Sequence, residues 1–300
     1  MANYTLRQLR YFETLVRLGN FGLAADACAI SQPALSMQIK ELEGHLGGKL
    51  FERGARQVSL TPYGQTFVPL IRATLRSVDT IDDTARATNS GQLNILRLGV
   101  IPTVAPYLLP AIISNLIQAN PLLDLQVRET VTQKLISELT DGRLDAAIVA
   151  LPVSEPSLHE MPLFSEDFVL VRPAKDAASP VPSRENLQAF RLLLLEEGHC
   201  FRDQALSFCK PGNVAPREIL EGSSLSTLVQ MVGAGIGITL IPEMAIAVET
   251  RSAPVAIARF EGVQPSRSIG MVWRKTSGLT DPLQAVAAVV KDTARRVMQA

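Results

Sequence analysis

Apolar residues recur at helical spacing at the front of the chain and in short unbroken runs further on. Leu6, Leu9, Phe12 and Val16 step by three and four, which predicts an amphipathic helix ending near Gly19-Asn20. The alanine-rich "LAADACA" predicts a second, short helix whose small side chains allow close packing. "SQPALSMQIKELEGHL" predicts a third. Ser31 is placed to cap it, Pro33 falls in the first turn where a missing N–H costs little, and Leu35, Ile39, Leu42 and Leu46 form one stripe. "KLFERGARQVSLT" then alternates enough for a small hairpin, with Arg53 and Arg56 near its tip. Thr61-Pro62 open a long helix reaching about Ala87, roughly 40 Å at the rise of an α-helix. Its residues Phe67, Leu70, Ile71, Leu75, Val78 and Ile81 approximate a heptad seam, and Pro69 predicts a kink.

From Leu93 the pattern changes. "ILRLGVI", "LDLQVRE", "DAAIVAL", "FVLVRP", "RLLLLEE", "EILEG", "ITLIP" and "SIGMVW" read as strands, and their helical spacers predict an α/β body of mostly parallel sheets with crossover helices. "NSGQL", Asn89 to Leu93, is the expected linker, and crossings near Pro162–Asp167 and Gln264–Ser268 split the body into two lobes. The expected division is residues 1–61 as a winged helix-turn-helix, 62–91 as a linker and dimerisation helix, and 92–300 as a regulatory domain. Lobe I takes 92–165 and 268–300; lobe II takes 166–267.

Composition narrows the class. With 300 residues, 47% hydrophobic and 19% charged, the chain can bury more than one core. Its most apolar stretch, Met231 to Pro242, is too short and glycine-rich to span a bilayer, and no apolar leader follows Met1, so a cytoplasmic location without membrane contact is expected. A net charge of zero argues against bulk coating of nucleic acid while leaving a local DNA-reading surface open. "GAGIG" hints at a dinucleotide loop, but its glycines follow a helical pattern and lead into a strand, the reverse of the required order. No HExxH, CxxC, P-loop or GxSxG pattern occurs, and three histidines and three cysteines lack compact zinc-ligand spacing, so no metal or cofactor is expected.

The third helix presents Pro33, Ser36, Met37 and Lys40 opposite its apolar stripe, with Gln32 and Gln38 at the flanks. Amides, hydroxyls and an ammonium can bond to base edges or phosphates, although a solvated bundle face would show the same pattern. The hairpin and long helix that follow favour the DNA-reading alternative. "FGLAADACAISQPALSMQIKELEGHLGGKLFERGARQVSLTPYGQ" resembles the DNA-binding domain and linker start of LysR-type transcriptional regulators. That resemblance implies contacts to double-stranded promoter DNA through Gln32, Pro33, Ser36, Gln38, Lys40 and Arg53. It also implies a homodimer joined through linker helices and assembling to a homotetramer, and a two-lobed regulatory domain like a periplasmic binding protein.

"EEGHCFRDQALSFCK" places Cys200 and Cys209 among charged neighbours. Both can be small apolar residues at the two ends of a helix, inert when buried. Alternatively, His199, Arg202 and a helix N-terminus favour a thiolate on Cys200, the form that attacks peroxide oxygen, and a second thiol can trap the resulting sulfenic acid. If the segment is helical, its ends are about 13 Å apart, whereas bridged Cα atoms lie within about 7 Å, so a bridge requires local refolding. Cys28, in the alanine-rich helix, reads as a packed thiol.

"GHCFRDQALSFC", "GVIPTVAPYLLP" and "SRSIGMVW" sharpen the resemblance to the hydrogen-peroxide-sensing members of the LysR-type family, over nearly the whole chain. This implies Cys200 as the peroxidatic and Cys209 as the resolving cysteine, with Thr103, Thr132, His199, Asp203 and Arg267 around a peroxide pocket. It implies RNA polymerase and a dithiol reductant such as glutaredoxin or thioredoxin as further partners. Two other readings remain open: a regulator that binds a small organic effector between its lobes, with structural cysteines, and a thiol peroxidase carrying a DNA-binding domain.

Overall fold

The computed structural model describes residues 4–53, 58–90, 93–209 and 218–299, in two compact units, Met1–Asp82 and Asp83–Ala300. In the first unit, α1 (Leu6–Leu18) starts at a capping box between Thr5 and Gln8 and stops at Gly19, whose φ of 60° is left-handed. Asn20 caps α2 (Phe21–Ala27), its Oδ1 accepting from the N–H groups of Gly22 and Leu23 at 2.8 and 3.1 Å. Next comes α3 (Gln32–Leu46), then the antiparallel hairpin of β1 (Phe51–Arg53) and β2 (Val58–Leu60); Arg56 lies outside the described residues. Leu9, Phe12, Leu15, Leu35, Ile39, Leu42 and Leu50 form the core. Leu6, expected on the buried stripe, is 46% exposed, and Leu15 occupies the interior in its place.

The long helix α4 (Pro62–Ser90) begins where Thr61 Oγ1 accepts from Gly64 N at 2.8 Å. A Cβ at Gly64 would stand 2.1 Å from the Leu50 carbonyl oxygen, so only glycine lets helix and hairpin approach. The helix runs on through Pro69 and takes in Asn89 and Ser90 of the expected linker; Gly91 and Gln92 lie outside the described residues. Along it Ile71 is buried, whereas Leu70 and Ile81 are 62% and 67% exposed.

The second unit runs β3 (Ile95–Val100), α5 (Ala105–Ala119), β4 (Asp124–Glu129), α6 (Thr132–Thr140), β5 (Ala146–Leu151), β6 (Leu158–Pro173), β7 (Arg191–Leu195), α7 (Cys200–Cys209), β8 (Glu218–Gly222). It continues with α8 (Leu225–Gly233), β9 (Thr239–Pro242), α9 (Ile246–Glu249), β10 (Val255–Ala258), β11 (Ser266–Arg274) and α10 (Thr280–Gln299). Pairing is parallel between β3 and both β4 and β5, and between β7 and β8. It is antiparallel where β11 meets β5 and β6, and where β6 meets β9 and β10. The seven-stranded sheet is therefore mixed rather than mostly parallel, and β7 and β8 form a separate two-stranded parallel sheet. The cause is the long β6, which carries the chain from one core to the other, and β11, which returns beside it in the opposite direction.

One core gathers Leu98, Ile112, Ile148, Met271, Trp273 and Val290; the other gathers Phe168, Leu193, Phe201, Leu228 and Ile241. Among the described residues, no helix is long and apolar enough to cross a membrane.

Candidate functional site

The candidate DNA face lies on α3. Ser31 Oγ accepts from Ala34 N at 3.4 Å, Pro33 sits in the first turn, and Gly47, at φ 81°, closes the helix. Burial of Leu35, Ile39 and Leu42 turns Gln32, Pro33, Met37 and Lys40 outward, with Ser36 and Gln38 half-buried beside them. The amide nitrogen of Gln38 donates to Glu41 Oε2 at 2.9 Å, and that oxygen also accepts from Gln8 at 3.1 Å, so the flank of the face is tied to α1. Glu43 Oε1 accepts from Leu50 N at 2.8 Å, which links α3 to the hairpin bearing Arg53, whose side chain lies outside the described atoms. Cys28 is a half-buried free thiol packed against this core.

The candidate redox site starts at the C-terminal end of β7. Leu192 to Leu195 are buried, so the chain must leave the sheet through Glu196–His199, and Gly198 makes the turn at φ 94°. Cys200 is the first residue of α7, where helical N–H groups lack intrahelical acceptors and favour negative charge on a nearby sulfur. Its thiol is free and half-buried, packed against the first core, while its neighbours Phe201 and Ala205 lie in the second. Cys209 ends the same ten-residue helix; its side chain lies outside the described atoms.

Arg267, on β11, is fully buried with Glu166, its cross-strand partner on β6. Nε donates to Glu166 Oε1 at 2.8 Å, Nη1 to Thr103 Oγ1 at 2.7 Å and Nη2 to the Thr103 carbonyl at 3.0 Å. The guanidinium also lies 5.6 Å from the ring centre of Phe201, next to Cys200. Glu166 offsets its charge. What the arginine imposes is orientation: the Thr103 hydroxyl accepts from it and keeps its own proton for another acceptor.

Thr132 begins α6. Its Oγ1 is buried with no hydrogen-bond partner among the described residues, a state that costs about 1–3 kcal/mol unless something binds there. A Cβ placed on Gly198 would lie 3.9 Å from Val131 Cγ2, so the start of α6 abuts the turn leading to Cys200. His199 is half-buried, and burial, partly opposed by Glu196, moves its pKa below the usual 6.5. That direction favours the uncharged imidazole at neutral pH. Arg202 is likewise committed elsewhere: it donates to the Leu195 carbonyl at 2.8 Å and pairs with Glu221 at 2.8 Å. Asp203 is exposed on the first turn of α7.

Three residues escaped the sequence reading. Gln204 stands four residues after Cys200, on the same face of α7, with a buried Oε1 lacking a partner among the described residues. Tyr107, on α5, reaches the second core and donates to Glu249 at 2.6 Å; burial, then this carboxylate, drives its pKa upward. Glu249 accepts from Ser226 as well, at 2.5 Å. An apolar run beside a lone tyrosine gives no sign of such a long-range link.

The profile for the bacterial regulatory helix-turn-helix protein of the lysR family matches residues 6–65, and that for the LysR substrate binding domain matches 89–295. A probable hydrogen peroxide-inducible genes activator of Streptomyces viridosporus is 40% identical over 97% of this chain and 95% of its own length. A full-length cysteine-to-aspartate variant of OxyR from Pseudomonas aeruginosa superposes with a TM-score of 0.75 at 34% identity, covering 97% of this chain and 96% of that one. A hydrogen-peroxide-bound cysteine-to-serine variant of OxyR from Corynebacterium glutamicum gives 0.67 at 35% identity, covering 98% and 94%.

Proposed function

The chain belongs to the LysR family of bacterial transcriptional regulators, in its OxyR branch, and from that premise we propose how its thiols switch it. It is a hydrogen-peroxide-responsive, DNA-binding regulator of oxidative-stress genes. Cys200 is the peroxidatic residue. Its thiolate attacks one peroxide oxygen, the O–O bond breaks, and the departing hydroxide takes a proton to leave as water. The Cys209 sulfur then attacks the sulfenic sulfur, the S–O bond breaks, a second water leaves, and a disulfide remains.

Thr132 Oγ1 and the oriented Thr103 hydroxyl hold peroxide beside the sulfur, neutral His199 hydrogen-bonds at the same place, and Arg267 keeps Thr103 in register. Asp203, at the exposed mouth, holds water. Because α7 separates its ends by about 13 Å and a bridge needs Cα atoms within about 7 Å, oxidation unwinds the helix. That is the bistable element between peroxide and DNA.

The reader is a homodimer, assembled further to a tetramer, and the exposed Leu70 and Ile81 of α4 supply an apolar face for pairing. Gln32, Pro33, Ser36, Gln38, Lys40 and Arg53 contact promoter DNA, and the bound protein acts on RNA polymerase in the cytoplasm. A dithiol protein of the glutaredoxin or thioredoxin type restores the thiols. Oxidation is stoichiometric rather than catalytic.

The observation that carries this reading is the free, half-buried Cys200 at the start of a helix that ends in Cys209. One equivalent of peroxide added to reduced protein, followed by peptide mass spectrometry, should give a Cys200–Cys209 disulfide that dithiol reverses and Cys200→Ser abolishes. Two unmodified thiols would point instead to a small effector between the lobes.

A further inference from the structure

The far end of α7 is held by a residue from outside the helix. The last carbonyls of an α-helix have no N–H partner within it. Here Arg184, the first residue of a short 3-10 helix (Arg184–Ala189), supplies donors to two of them: Nε to the Phe208 oxygen at 2.6 Å and Nη2 to the Ser207 oxygen at 3.0 Å. The guanidinium also lies 5.1 Å from the centre of the Phe208 ring, which packs against Phe260 with ring centres 5.0 Å apart. Leu187, buried in the second core, anchors the turn that presents the arginine. Arg184, Phe208 and Phe260 together line a cavity of about 470 Å³. A cation at this end of a helix also meets the negative end of its dipole.

We infer that Arg184 is a positioning residue that clamps the C-terminal turn of α7 and thereby sets how readily Cys209 is released to form the disulfide. This rests on the helix-unwinding switch proposed above. The carbonyls of Ser207 and Phe208 point past the helix end only while α7 is helical, so the clamp stabilises the dithiol form and not the bridged one. A contact made in one state alone shifts the balance between the two by its own free energy. It touches neither Cys200 nor the residues around it, so the first oxidation should not depend on it.

The test compares wild type, Arg184→Ala and Arg184→Lys in the full-length protein. Arg184→Ala should favour the disulfide about tenfold in equilibrium with a dithiol buffer, a potential about 30 mV more negative, and the lysine variant should fall between. Sulfenic acid formation on Cys200, measured in a Cys209→Ser background, should keep its rate. Thermal melting should drop for the reduced form and hold for the bridged form, whereas a merely structural residue would lower both. An unchanged potential, or equal changes in both oxidation steps, would overturn the inference. If wild type forms no Cys200–Cys209 bridge, the proposed switch itself fails and the clamp is judged by amide exchange of the last α7 turn. Unaltered exchange in reduced Arg184→Ala then rejects the clamp, and faster exchange leaves it a helix cap without redox consequence.

Discussion

The helices α3 and α7 have opposite construction. In α3 every local signal agrees: Ser31 caps the start, Pro33 occupies the first turn, Leu35, Ile39 and Leu42 are at most 1% exposed, and Gly47 ends it in the left-handed region. In α7 the start hangs on a glycine turn, two buried polar atoms nearby, on Thr132 and Gln204, lack partners among the described residues, and the end depends on Arg184. Agreement across levels gives a single rigid conformation, as a surface that reads DNA requires. A helix whose ends are secured from elsewhere can open locally without unfolding its lobe, as a sensor requires.

The largest expected effect comes from breaking the rigid member. Leu35→Ala should cost the first unit about 2–5 kcal/mol, the usual range for a fully buried leucine, and abolish DNA binding at physiological temperature. Peroxide oxidation of Cys200 in the same variant should keep its wild-type rate. Urea unfolding followed alongside thiol labelling checks both, and a slowed Cys200 would show that the two regions are not independent.

The same contrast explains what could be read from the chain. The three front helices were legible because cap, stripe and stop are local, and every expected strand falls on an observed one, although "FVLVRP" is only the last part of β6 and "SIGMVW" only the middle of β11. The first half of β6 was missed because Pro162, Glu160 and Glu166 interrupt its apolar pattern, and β10 because its four apolar residues, Val255–Ala258, three of them only half-buried, make too short a run to stand out. The expected parallel sheet failed for a related reason, since strand direction depends on where β6 and β11 cross rather than on side-chain alternation. Cys200, Cys209 and His199 announced themselves by chemistry. Thr103, Thr132 and Arg267 came only from resemblance, because a hydroxyl oriented by an arginine 164 residues away leaves no trace in local sequence.

A second prediction turns on the unpartnered hydroxyl. Thr132→Val keeps the shape and removes an oxygen that is buried without a hydrogen bond among the described residues. Stability should hold or rise by about 1 kcal/mol, because an unsatisfied group disappears. Oxidation of Cys200 should nonetheless slow about tenfold, the rate equivalent of one lost hydrogen bond to peroxide in the transition state. Stopped-flow oxidation beside thermal melting separates the two, and a variant that is both less stable and equally reactive would sink the assignment.

The smallest effect should be the pH dependence of His199. Its folded pKa is lowered from 6.5, chiefly by burial and against the pull of Glu196, so between that value and the folded one the unfolded chain binds more protons. Stability then rises with pH through this window. The histidine's contribution is complete above 6.5 and is lost as the pH falls from there through the folded pKa. His199→Asn, neutral throughout, should remove this slope while leaving the melting of the first unit untouched. Urea midpoints from mildly acidic to neutral pH provide the measurement. Parallel curves for wild type and variant would mean that burial does not hold the imidazole neutral in the folded protein.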